Sequence, residues 1–262
     1  MSTPRLPVRI ENHVARITFN NPEKHNAVSI DMWQGLVDAL KAFATDPTVR
    51  VLVLSGAGDR AFVSGADISE FDKKRSALKD IEAYNALVEE GSDRLADFPK
   101  PTIALIHGYC IGGGLGIAAG CDLRFASPGA RFALPAARLG IGYRYTALKR
   151  LVDAVGRTAA ADIFYSGRHL DADEALGIGF LNKIVPQEEL ESFVARYAER
   201  VAGNAPLSIA SAKRAFVDFT REPSERDPAA CRELERLCST SRDYVEGRSA
   251  FRERRQAEFK GA

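Results

Sequence analysis

The sequence has almost no net charge and no long apolar run. Its 36 Lys and Arg residues nearly balance its 35 Asp and Glu residues, which gives a formal net charge of +1. This balance does not favour a nucleic-acid or membrane partner. No apolar run reaches the roughly 20 residues of a membrane span, and Met1–Pro7 lacks the apolar core of a signal peptide. We therefore expect a soluble, cytoplasmic protein.

Cysteine is scarce, and its spacing does not indicate a metal site. The four cysteines are Cys110, Cys121, Cys231 and Cys238, and they lack the paired spacing of a zinc ribbon. Cys110 and Cys121 have apolar neighbours, which favours buried, inert thiols. The sequence therefore predicts a reducing compartment and no bound metal.

Several nucleotide-binding and hydrolase motifs are also missing. The glycine triplet Gly112–Gly114 does not complete G-x-G-x-x-G, because Ile117 stands at the last position. The sequence contains no G-x-x-x-x-G-K-[ST], no G-x-S-x-G and no H-E-x-x-H. Dinucleotide and P-loop binding, the nucleophile elbow and this type of zinc protease are therefore not supported.

Strand patterns occur at several places in the first half of the chain. Residues 8–19 alternate apolar and polar side chains around a turn at 11–13, as in a β-hairpin. Val51–Leu54 and Thr102–Ile106 are short apolar runs, typical of strands that are buried on both faces.

Helical patterns lie between these strands and dominate the second half. One helix is predicted from an N-cap at Ser29 to about Thr45, and another over 77–98. Alternating strands and helices predict an α/β layered domain. We assign residues 1–200 to this core and 201–262 to a helical C-terminal region.

Three segments combine glycines and small residues with the ends of predicted strands or the starts of helices. They are Asn-Pro-Glu-Lys-His-Asn-Ala-Val-Ser over 21–29, Gly-Asp-Arg-Ala-Phe-Val-Ser-Gly-Ala-Asp-Ile over 58–68, and His-Gly-Tyr-Cys-Ile-Gly-Gly-Gly over 107–114. Small residues let a backbone approach a ligand closely, and N–H groups are free at a helix N-terminus. Two such N–H groups that converge on one carbonyl oxygen form an oxyanion hole.

The order and spacing of these segments resemble the enoyl-CoA hydratase/isomerase (crotonase) superfamily. The resemblance covers essentially the whole chain, including residues 120–124 and 246–251. It implies a crotonase-like spiral of repeated ββα units with a helical C-terminal region, assembled as a homotrimer or homohexamer. It also implies an acyl-CoA thioester as substrate, with coenzyme A as part of that substrate and no separate cofactor.

The same resemblance implies roles for individual residues. The amides of Ala66 and Gly113 would hold the thioester oxygen. The coenzyme A channel would be lined by Lys24, His25, Ala27, Ala66, Asp67 and Ile68. Phe251 and Arg254 would reach the adenine and phosphate end of the ligand, in this subunit or a neighbouring one.

The acids of the family's hydratases are absent from this sequence. Two glutamates position water and transfer protons in those enzymes, and their positions correspond to Gly116 and Ala136. A third acidic position, used by dienoyl-CoA isomerases, falls on or near Arg144. We therefore expect thioester binding without the ordinary hydratase mechanism, since each missing acid or base costs about 10²–10⁴ in rate. Glu70, Glu89 and Glu90 are candidates for a substitute base.

The segment 139–145, Leu-Gly-Ile-Gly-Tyr-Arg-Tyr, resembles the corresponding part of methylmalonyl-CoA decarboxylase. Decarboxylation of a malonyl-type thioester needs an oxyanion hole, a group that orients the carboxylate, and a proton donor. Tyr143 is the candidate donor, and Arg144 is the candidate partner of the carboxylate. The match is partial, because Ala66 replaces a histidine and Gly142 a proline.

Four interpretations therefore stay open. The leading one is a lyase or isomerase that works through a thioester enolate and is conventionally labelled enoyl-CoA hydratase. The second is a decarboxylase, and the third is a catalytically silent subunit that binds coenzyme A. In the fourth, Tyr143 and Tyr145 are half-buried packing residues and Arg144 is a surface charge.

Overall fold

The chain forms two β-sheets that are covered by helices. The computed structural model describes residues 3–67 and 78–262. The strands are β1 Val8–Glu11, β2 Val14–Phe19, β3 Val51–Gly56, β4 Ala61–Val63, β5 Thr102–Ile106, β6 Tyr109–Ile111, β7 Leu123–Ala126, β8 Arg131–Ala133 and β9 Lys183–Ile184. The larger sheet has the order β1-β2-β3-β5-β7-β9, and the smaller sheet has the order β4-β6-β8.

The helices of the described residues separate these strands. They are α1 Ile30–Thr45, α2 Leu78–Ala96, α3 Gly113–Ala119, α4 Tyr145–Ser166, α5 Ala172–Gly177, α6 Gln187–Ala202, α7 Pro206–Phe219, α8 Pro228–Thr240 and α9 Arg242–Glu253. None of them is long and apolar enough to cross a bilayer.

A ββα unit repeats three times, as predicted. Each unit has a strand of the larger sheet, then a strand of the smaller sheet, then a helix, in the series β3-β4-α2, β5-β6-α3 and β7-β8-α4. The strands of successive units pair in parallel. The exception in the larger sheet is the predicted hairpin, in which β1 and β2 are antiparallel. Because each unit repeats the last one, corresponding loops lie side by side at one edge of the smaller sheet.

Strand β3 is buried on both faces, as its continuous apolar run predicts. Leu52 and Leu54 belong to the core that also contains α1 and the smaller sheet. Val51 and Val53 point the other way and pack in a second cluster beneath α6. Helix α6 supplies Leu190, Val194 and Ala198 to that cluster, at the spacing of four that places side chains on one helix face.

The helices after α6 are attached to the core by an ion pair. Lys213 of α7 donates from Nζ to Oδ1 of Asp122 at 2.6 Å. The other carboxylate oxygen of Asp122 accepts from the backbone N and the hydroxyl of Thr102 at 2.8 and 3.0 Å. The side chain of Lys213 is 5% exposed and that of Asp122 is 32% exposed. The boundary between residues 1–200 and 201–262 stays a prediction.

We expect Lys213→Met to lower the free energy of unfolding by about 2–3 kcal/mol, measured by chemical denaturation. This loss of stability is smaller than the loss expected for a fully buried ion pair, because water reaches the Asp122 carboxylate that remains in the variant. Arg236→Met is the matched control, since Arg236 pairs with Glu233 on an exposed helix surface and should change stability little. Equal stability of the two variants would show that the pair does not hold the C-terminal helices.

Candidate active site

The loops after β4 and β6 meet because these strands are neighbours in the smaller sheet. A Cβ atom built on Gly113 would lie 3.8 Å from Cα of Gly65 and 3.9 Å from its carbonyl carbon. That carbonyl carbon is bonded to the amide nitrogen of Ala66. The structure therefore brings the two predicted amides, Ala66 and Gly113, next to each other.

Both amides are available to a ligand. Val28 donates to the carbonyl of Gly65 at 2.8 Å, and Asp67 donates to the carbonyl of Val28 at 3.0 Å, which fixes the chain on either side of Ala66. The Ala66 N–H itself has no acceptor among the described residues. Gly113 is the first residue of α3, where an N–H group has no partner within the helix.

Two glycines of the triplet are required by the backbone. Gly112 has φ 57° and ψ −115°, a conformation that residues with a side chain avoid. At Gly114 an added Cβ would lie 2.1 Å from the carbonyl oxygen of Val63. The triplet therefore permits α3 to start directly against β4, which places its first amide beside Ala66.

The loop predicted to line the coenzyme A channel lies beside Ala66 as well. A short 3₁₀ helix over Pro22–Lys24 leads into it. Lys24 Nζ donates to both carboxylate oxygens of Asp67, at 3.0 and 2.8 Å. Val28 forms a parallel bridge with Ala66, so Ala27 is adjacent to the same turn. The structure thus joins Lys24, Ala27, Ala66 and Asp67, while their ligand roles stay predictions.

His25 is held at the outer side of this loop. Its Nε2 atom lies 3.1 Å from Nη2 of Arg60, and its ring makes an edge contact with Tyr109 at 5.7 Å between centroids. Ile68, the last predicted channel residue, lies outside the described residues, as does the candidate base Glu70.

Asn26 organises this loop and was not assigned a role from sequence. It is 1% exposed and has φ 56°. Its Nδ2 group donates to the carbonyls of Ala57 and Ala61, and its Oδ1 accepts from the backbone N of Asn21. The available signal was the residue type, since asparagine tolerates the left-handed conformation better than most residues.

Tyr143 packs beside Gly116. A Cβ atom built on Gly116 would lie 3.7 Å from the Tyr143 hydroxyl oxygen. The half-buried ring packs edge-on against Phe164 at 5.8 Å. Burial raises the pKa of Tyr143 to about 12, although Arg144 and Arg150 oppose the shift. The phenol is therefore neutral at physiological pH and can donate a proton or a hydrogen bond.

The guanidinium of Arg144 is unpaired within the described part of the chain, although it lies close enough to Tyr143 to influence its pKa. Arg150, in contrast, pairs with Asp93. Ala136 is buried in a short 3₁₀ helix, Pro135–Leu139, and offers no titratable group. A positive charge and a phenol therefore lie together near Gly116.

The two candidate bases within the described residues, Glu89 and Glu90, differ in environment. Glu90 accepts from Lys41 and Arg94 at 2.8 and 2.9 Å, and these contacts lower its pKa. A lowered pKa makes a carboxylate a weaker base. Glu89 is exposed on α2.

Phe251 and Arg254 lie in the C-terminal helical region, Phe251 on α9 and Arg254 directly after it. Phe251 is 85% exposed on α9 and lines a groove of about 720 Å³ with side chains of α7, α8 and α9. Arg254 is exposed and ends α9 in a left-handed conformation. None of the residues that line this groove belongs to the loops around Ala66, so the predicted contact with adenine stays untested.

Comparison with known proteins gives matches along nearly the whole chain. The family described as enoyl-CoA hydratase/isomerase matches residues 9–262. The chain is 34% identical to a crotonyl-CoA hydratase of Syntrophomonas wolfei, covering 99% of each protein. It is 34% identical to an (E)-benzylidenesuccinyl-CoA hydratase of Thauera aromatica, covering 98% of this chain and 100% of that protein.

A solved structure confirms the predicted fold. It is an enoyl-CoA hydratase/carnithine racemase from Magnetospirillum magneticum, and it superimposes with a TM-score of 0.93 at 34% identity. The match covers 100% of this chain and 97% of that one. The crotonase-like spiral and its C-terminal helices are therefore present here.

Proposed function

The chain belongs to the enoyl-CoA hydratase/isomerase family, and we propose that it acts on an acyl-CoA thioester through an enolate. The amides of Ala66 and Gly113 hold the thioester oxygen, and Tyr143 replaces a glutamate as the proton-transfer group. The observation that carries this proposal is the Tyr143 hydroxyl, 3.7 Å from the position of a Cβ at Gly116. Coenzyme A enters as part of the substrate, and no separate cofactor is involved.

The oxyanion hole follows from the two adjacent amides. When the thioester carbonyl oxygen accepts hydrogen bonds from both N–H groups, the negative charge that develops on that oxygen is stabilised. Each donor of this kind contributes roughly 3–4 kcal/mol to stabilising the enolate. Tyr143 then delivers its proton to the α-carbon of the enolate and recovers one from solvent.

Decarboxylation of a malonyl-type thioester is the second candidate, and the unpaired Arg144 favours it. The guanidinium would orient the substrate carboxylate by a charge-assisted hydrogen bond. The bond between that carboxylate and the α-carbon breaks, carbon dioxide leaves, and the electron pair remains as the enolate. No general base is needed, which fits a site where the two aligned glutamate positions are Gly116 and Ala136.

The expected assembly is a homotrimer or homohexamer, and its support here is exposed apolar surface. Tyr145, Phe216, Phe219 and Phe251 are each more than half exposed. Phe216 and Phe219 are three residues apart on α7 and so share one face of that helix, and an exposed apolar face of this kind favours contact with another subunit.

The test is turnover of two thioesters by the purified protein. We expect crotonyl-CoA to be hydrated about 10²–10⁴ times more slowly than by a hydratase with its glutamates. Carbon dioxide released from methylmalonyl-CoA would support the decarboxylase. Rapid hydration of crotonyl-CoA would contradict the role given to Tyr143. Tight binding of both thioesters without any turnover would instead support a silent subunit.

A further inference from the structure

Arg124 of β7 is buried at the C-terminal end of α3. Gly113 is the first residue of the same helix, at its other end. Its side chain is 9% exposed. Nη1 donates to the carbonyl oxygens of Ala118 and Cys121 at 3.2 and 2.5 Å, and Nε donates to that of Phe180 at 2.5 Å. The guanidinium also lies over the ring of Phe180, 5.1 Å from its centroid. These bonds hold the end of α3 to the segment before β9.

The charge of this guanidinium is not neutralised by a carboxylate contact within the described residues. Its three hydrogen-bond acceptors are backbone carbonyls. The nearby carboxylate of Asp122 is instead occupied by Lys213 and Thr102. An arginine remains charged even when burial lowers its pKa, as it does here. A positive charge therefore lies in the core behind α3.

The influence of this charge reaches the strand that leads to the oxyanion hole. Burial raises the pKa of the thiols of Cys110 and Cys121, and the positive charge of Arg124 opposes the rise at both. Cys110 belongs to β6, two residues before Gly112. Because α3 has seven residues, it is about 10 Å long. The Arg124 guanidinium at the C-terminal end of α3 therefore attracts negative charge on an oxygen bound at the Gly113 amide, because an apolar interior screens this attraction weakly.

We infer that Arg124 is a positioning residue for the oxyanion hole. It fixes the C-terminal end of α3, the helix whose first amide is that of Gly113, and behind the developing enolate oxygen it supplies a positive charge that no carboxylate contacts among the described residues. This inference rests on the proposed function, since it takes the amides of Ala66 and Gly113 as the donors. Arg124 therefore increases the polarisation of the bound thioester carbonyl, in addition to any contribution it makes to folding.

The experiment is isotope-edited infrared difference spectroscopy of bound crotonyl-CoA, labelled with carbon-13 at the thioester carbonyl. In the wild type, we expect the carbonyl stretch to move to lower frequency on binding. Arg124→Met should lose most of that movement, while Kd changes little and any turnover falls about tenfold. Arg124→Lys keeps the charge but not the fork of donors, so an intermediate movement is expected.

Arg168→Met is the matched control. Arg168 is exposed and pairs with Asp162 and Glu174, and its removal changes net charge equally without touching α3. It should leave the carbonyl frequency unchanged. Melting temperature and circular dichroism establish that each variant is folded. If Arg124→Met does not fold, Arg124→Gln decides, because it lacks the charge but keeps a side-chain donor for the carbonyls.

The possible results distinguish a failure of the Arg124 role from a failure of the proposed oxyanion hole. A wild-type frequency in folded Arg124→Met, or in Arg124→Gln where that variant decides, would overturn the role of Arg124 and leave the oxyanion hole intact. A loss of the same size in Arg168→Met would also overturn it, because net charge alone would explain the effect. No movement in the wild type would instead remove the oxyanion hole itself.

Discussion

Gly113→Pro should reduce turnover about 10²–10³-fold, because it removes one of the two amide donors of the proposed oxyanion hole. Proline is accepted at the first position of a helix, where the N–H group has no partner within the helix. The substitution is therefore expected to leave α3 formed. The measurement is kcat on whichever thioester the wild type turns over, with circular dichroism to check the fold.

Gly113→Ala is the control for this substitution. A Cβ at this position makes ordinary contacts with Gly65, at 3.8 Å to its Cα, and the alanine keeps its N–H group. Turnover of the alanine variant should stay within about tenfold of the wild type, well above the loss expected for a missing donor. Equal activities of the proline variant and the wild type would show that the Gly113 amide does not bind the thioester oxygen.

Tyr143→Phe should lower kcat about 10²–10⁴-fold while the Kd of the thioester stays nearly constant. The phenyl ring preserves the edge contact with Phe164, so the change removes little besides the hydroxyl. Tyr145→Phe is the control, because Tyr145 belongs to the same segment and is 74% exposed. If Tyr143→Phe retains wild-type turnover, the phenol is a packing residue and another group transfers the proton.

The pH dependence supplies a second readout for the same hydroxyl. Burial raises the pKa of Tyr143 from 10.0 to about 12, so the protonated form predominates throughout the neutral range. A reaction that needs this proton should be insensitive to the ionisation of Tyr143 below about pH 11 and should slow as pH rises through 12. A decline near pH 10 that disappears in Tyr143→Phe would contradict the raised pKa.

The sequence by itself determined the family, the ββα spiral and the three motif segments. These properties depend on local patterns, such as the continuous apolar run of β3 and the glycines that permit unusual backbone conformations. The resemblance also predicts that the acids of the family's hydratases are missing, because Gly116 and Ala136 stand at the positions that the motifs assign to them. The order of residues within short segments was sufficient for each of these conclusions.

Only the tertiary structure decided which side chain lies beside Gly116. Tyr143 and Gly116 are far apart in sequence, and their contact depends on how the segment before α4 packs against α3. The three carbonyl contacts of Arg124 likewise join α3 to a segment that follows α5. Contacts of this kind arise from packing between distant elements, which no residue pattern in one segment specifies. The motifs therefore named the amides of Ala66 and Gly113 and the phenol of Tyr143 as candidates, and the packing placed that phenol beside Gly116 and the Arg124 guanidinium at the far end of α3.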